Sequence, residues 1–65
     1  MNRNQTTETQ KRYRIEMGYT ETTVRGPQVV QTVVRVWAEN EKDARGQVLD
    51  FYRKSRPYVI SVGQA

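Results

Sequence analysis

The chain has 65 residues, with eleven Lys or Arg against seven Asp or Glu for a net charge of +4, and it contains neither Cys nor His. That length fits one small domain, and the two missing residue types exclude structural zinc, haem ligation, thiol nucleophiles and His-dependent triads. The expectation is a binding protein without enzyme activity, metal or cofactor.

Residues 1–10 are polar and follow neither a period of 2 nor one of 3.6, so they are expected to form a flexible tail ahead of a single domain over residues 11–63. From residue 12 to 20 the chain alternates cleanly. Tyr13, Ile15, Met17 and Tyr19 fall on one side, and Arg12, Arg14, Glu16, Gly18 and Thr20 on the other. This pattern predicts a strand with one buried face. A second strand is predicted over about residues 28–37, with Val30, Thr32, Val34, Val36 and Ala38 on one side and Val29, Gln31, Val33, Arg35 and Trp37 on the other. Between them Arg25-Gly26-Pro27 carries two ladder-breaking residues, which predicts a hairpin with a long, mobile, cationic loop.

Asn40 then offers an N-cap, and Glu41 and Asp43 suit the positive end of a helix dipole. Ala44, Val48, Phe51 and Tyr52 make a narrow apolar stripe, flanked by Leu49. Gly46 suggests a close approach of this helix to the sheet. Glu41 with Arg45, and Asp50 with Lys54, have i,i+4 spacing for ion pairs. Arg53, Lys54 and Arg56 load the helix C-terminus before Pro57 stops it. A third strand over residues 58–62 would point Tyr58, Ile60 and Val62 to one face and Val59 and Ser61 to the other. The fold class is therefore α+β, in the order β-β-α-β. A right-handed crossover gives a three-stranded antiparallel sheet of order 2-1-3 with the helix packed on one face.

Val, Ile, Leu and Phe make up only 13 of the 65 residues, nine of them Val. A core this small invites self-association or a partner to add stability. The sheet face without a helix would carry Arg12, Arg14, Glu16, Gln31, Val33, Arg35 and Trp37. Arg supplies planar donors for phosphate and Trp a stacking platform, so these residues form a candidate nucleic-acid surface, extended by Arg25, Arg53, Lys54 and Arg56. Two bland readings stand beside it: cations on strands solubilise and protect edges, and cations after a helix complement its dipole. A protein contact or homodimer through Val29, Val33 and Trp37 is the alternative. The carboxylates are better explained by capping and pairing than by acid/base work, and Tyr13, Tyr19 and Tyr58 are expected in the core.

Val36-Trp37-Ala38-Glu39-Asn40-Glu41-Lys42-Asp43-Ala44 resembles the strand-to-helix junction of small phage- and plasmid-encoded proteins, among them compact anti-CRISPR proteins and the DpnD/PcfM-like group. The resemblance implies a mobile-element origin and a role in binding host machinery, and it transfers no site residue. The expected partner is thus nucleic acid or a host nucleoprotein, with a host protein as the alternative. With no apolar run near about 18 residues and no secretory signal, no membrane contact is expected and the setting would be the cytoplasm.

Overall fold

The computed structural model describes residues 10–65. The tail expected over residues 1–10 lies outside the described residues apart from Gln10. The elements follow in the order β1 (Lys11–Thr23), β2 (Gly26–Ala38), helix α1 (Glu41–Phe51), a 3₁₀ turn (Arg53–Ser55) and β3 (Tyr58–Gln64). The three strands form one sheet of order β2-β1-β3, with β1 antiparallel to both neighbours, as the sequence pattern predicts.

β1 is central, and its alternation has a direct structural result. Tyr13, Ile15 and Met17 are all buried beneath α1. Ala38, Ala44 and Val48 complete the buried cluster, and the two alanines keep the helix close to the sheet. Tyr19 and Tyr52 stack at 4.8 Å between ring centroids, at the end of the helix.

The long cationic loop is corrected to a two-residue turn. β1 runs on to Thr23 and β2 starts at Gly26, with Thr23 paired to Gly26 across Val24-Arg25. The Thr23 hydroxyl accepts the Arg25 N–H at 3.1 Å and donates to the Gly26 carbonyl at 2.8 Å. Gly26 has φ of 109°, a conformation that glycine tolerates and other residues rarely adopt. Pro27 follows without breaking the ladder because β2 is an edge strand. The direction of its backbone follows from β1. The Arg12 carbonyl accepts the Ala65 N–H at 2.9 Å, so even-numbered residues of β1 turn towards β3 and odd-numbered ones towards β2. Pro27, opposite Thr22, therefore has its nitrogen on the outer edge, where no ladder bond is lost.

Asn40 caps α1 as predicted, its Oδ1 accepting the Asp43 N–H at 2.8 Å. Ala44 and Val48 are buried and Tyr52 is half-buried, but Phe51 is 80% exposed. The helix ends there, capped by Tyr52, whose N–H donates to the Val48 carbonyl at 3.1 Å. Arg53, Lys54 and Arg56 thus follow the helix, and its last turn holds no cation. Arg56 takes a left-handed conformation (φ 52°) before Pro57 leads into β3. The i,i+4 pairs expected for Glu41 with Arg45 and Asp50 with Lys54 do not form; Asp50 instead meets Arg53 at 3.4 Å. Gly46 is exposed, with open space where a Cβ would stand, so it is not a point of close approach.

β3 departs furthest from simple alternation. Ser61 pairs with Glu16 and Val59 with Met17, so Ile60 is an extra residue bulging from the strand. Val62 keeps its expected place opposite Ile15 on the core side, and Ser61 its place on the open face. Beyond the bulge the phase reverses: Val59 turns to the core and Tyr58 to the open face, where it lies across Gly18. A Cβ on Gly18 would collide with the Tyr58 ring, so the close approach that demands glycine is here.

Candidate nucleic-acid interface

The face opposite α1 is arranged in rows set by strand register. Arg12 stands across from Trp37, Arg14 from Arg35, Glu16 from Val33 and Ser61, and Gly18 from Gln31 and Tyr58. The first two rows concentrate three guanidinium groups and the only Trp of the chain at one end of the sheet. The Arg12 Cζ lies 5.8 Å from the Trp37 ring centroid, within cation–π range, and Trp37 keeps 49% of its surface exposed.

Glu16 is the carboxylate of this face. Its Oε2 accepts from Arg14 Nη1 at 3.2 Å and its Oε1 from the Ser61 hydroxyl at 2.8 Å. The Ser61 hydrogen bond, then the Arg14 hydrogen bond and charge, hold its carboxyl below the usual carboxylate range. Neither Arg12 nor Arg35 has a carboxylate within salt-bridge distance among the described residues. Arg14 and Arg35 face each other directly across two strands, an arrangement that like charges disfavour and that a bound anion would relieve.

The other candidate cations lie elsewhere. Arg25 is in the hairpin turn, eleven residues along β1 from Arg12 to Thr23 and hence roughly 35 Å away. Lys54 and Arg56 line a shallow depression with Thr20, Thr22 and Pro27, while Arg53 leans on Asp50. The structure therefore gathers Arg12, Arg14, Arg35 and Trp37 into one site and leaves Arg25, Arg53, Lys54 and Arg56 outside it.

Tyr58 and Ile60 join the open face unforeseen. Gln31 Nε2 reaches the Tyr58 hydroxyl at 3.5 Å, and Ile60 borders a hollow with Glu16, Gln31 and Val33. No signal in the sequence marks the bulge that brings them there, because residues 58–62 carry apolar side chains at both parities. Among the described residues no cluster of His, Cys, Asp and Glu could hold a metal ion, and no helix is long and apolar enough to cross a membrane. Compared with protein-family models, curated proteins and solved structures, the chain matches none.

Proposed function

We propose that this protein binds single-stranded nucleic acid, free or within a nucleoprotein, across the open sheet face. The observation that carries the reading is the Arg14–Arg35 row beside Arg12 and Trp37: three guanidiniums sharing one carboxylate among the described residues, next to an exposed aromatic ring. Phosphates would neutralise Arg12, Arg14 and Arg35, and a base would stack on Trp37. The extended sheet suits an unpaired strand, whose bases are free to lie against it.

The test is a titration of labelled single- and double-stranded DNA and RNA, followed by anisotropy and by Trp37 fluorescence, which reports this face alone because the chain has one Trp. Binding at low salt with quenching of Trp37 is expected. Each arginine that neutralises a phosphate should contribute about 0.7 to the slope of log affinity against log salt, so R14A and R35A should each flatten it by about that amount. W37A should weaken binding by about 1–3 kcal/mol through lost stacking. Absence of binding at low salt, or binding that leaves Trp37 fluorescence unchanged, would sink the proposal.

A further inference from the structure

We propose that the free edge of β2 pairs antiparallel with β2 of a second copy, about a two-fold axis through Val33. The inference goes beyond nucleic-acid binding and does not rest on it.

β2 is a 13-residue strand paired with β1 on one side, and no strand among the described residues pairs with it on the other. Such an edge is a template for another strand unless it is short, bulged or guarded by charge. The opposite edge is guarded in this way, since β3 has seven residues and bulges at Ile60. β2 has no bulge in its pairing with β1, no Lys, and one cation, Arg35.

The unpaired groups also have a centre. By the alternation fixed at Arg12, the outward N–H groups of β2 are those of Val29, Gln31, Val33, Arg35 and Trp37. Pro27 bounds the series at one end because it has no N–H. At the other end the Trp37 carbonyl already accepts from Gln47 Nε2 at 2.9 Å, which independently shows that this residue's backbone points outward. Val33 is the midpoint of the series.

A two-fold axis perpendicular to the sheet must pass at a residue, because paired residues share a face. With the axis at Val33, Val33 meets its own copy, Arg35 meets Gln31, and Trp37 meets Val29. On the helix side Val34 meets Thr32 and Val36 meets Val30. No like charges oppose each other, and apart from Val34 with Thr32 the apolar residues meet apolar residues. Moving the axis to Thr32 sets Arg35 against Val29 and Trp37 against Pro27, which lacks a donor. Moving it to Val34 sets Trp37 against Gln31 and Arg35 against Val33.

Side-chain exposure agrees with a missing neighbour on both faces of this edge. Val29 and Val33 are 61% and 39% exposed on the open face. On the helix side an apolar groove between β2 and α1 is lined by Val34, Val36, Val48 and the exposed Phe51. The two-fold axis puts both helices on one face of a joined six-stranded sheet, with their grooves facing each other. Covering Phe51 in both copies, while each Trp37 meets Val29 edge-on and keeps its ring face open, accounts for roughly 400 Å², since an aromatic side chain buries about 150–250 Å². The paired backbones and the half-exposed valines of both copies add to this, towards the about 1,000 Å² that a specific interface should clear.

The full chain contains no Cys, so a single introduced thiol reports the axis. Sedimentation equilibrium of the unmodified chain should give twice its 7.6 kDa mass. Paired Cα atoms at the axis are about 5.5 Å apart, within disulfide reach, whereas two Gln31 would be separated by about 13 Å along the strand. V33C should therefore oxidise to a covalent dimer at least about tenfold faster than Q31C, and mixed Q31C and R35C should link to each other. V33K, which sets two ammonium groups on the axis, should be monomeric with an unchanged far-ultraviolet spectrum. A monomeric wild-type chain, Q31C linking as fast as V33C, or a V33K variant that folds and still dimerises would each overturn the proposal. If V33K does not fold, the cysteine comparison decides alone.

Discussion

Glu16 sits where the proposed binding surface is most sensitive to a single change. It holds Arg14 at 3.2 Å in a row next to the opposed Arg14 and Arg35, and so it competes with phosphate for that guanidinium. E16Q should release Arg14 and tighten nucleic-acid binding severalfold at low salt, with a steeper salt dependence, as measured by anisotropy. The same substitution has a pH signature. The folded-state pKa of Glu16 is lowered, so its contribution to stability is complete above the ordinary carboxylate range and is lost as pH falls through the depressed value. Thermal melts of the wild-type chain against E16Q should converge as the pH drops through and below that range. A constant gap between them down to strongly acidic pH would show that neither Ser61 nor Arg14 favours the ionised form in the folded chain.

Elements were legible in proportion to how firmly their residues fix a phase. β1 reads correctly because its apolar residues occupy one parity only, so any other register would expose Ile15 and Met17. Residues 58–62 contain Tyr58, Val59, Ile60 and Val62, which fix no parity, and only pairing against β1 reveals the bulge. The hairpin departs from its sequence pattern for a related reason: Gly26 and Pro27 break a central strand, but at a turn and on an edge they cost little. Arg25, expected in a long, mobile, cationic loop, is instead in a tight turn. α1 supplies a test of the corrected role of Gly46. A Cβ there meets nothing within 4 Å, so G46A should stabilise the protein by about 0.5–1 kcal/mol through helix propensity alone. At about 4–8 °C per kcal/mol for a domain of this size, the melting temperature should rise by several degrees. A fall would restore the close approach to the sheet that the exposed position argues against.

At the scale of the whole molecule, the core among the described residues consists of Tyr13, Ile15, Met17, Ala38, Ala44 and Val48, and two of these six are alanines. The strand beside it, β2, holds many of the remaining valines half-covered or exposed. A chain so built has little stability to spare as a monomer, and pairing through β2 would couple that stability to concentration. For a two-fold dimer that unfolds to separated chains, each tenfold rise in concentration adds about 1.4 kcal/mol to the dimer. With an unfolding entropy of about 2.1 cal/mol/K per residue, over twice 65 residues, the midpoint should climb by about 5 °C per tenfold step. V33K should abolish that dependence, whereas R14A, remote from the edge, should retain it. The dependence should also survive added salt, because backbone pairing and apolar contact are weakly screened, unlike phosphate binding. Calorimetry over two decades of concentration, at low and high salt, checks all of these outcomes together. A midpoint that does not move with concentration would mean that the six-residue core and the helix that covers it suffice without a second copy.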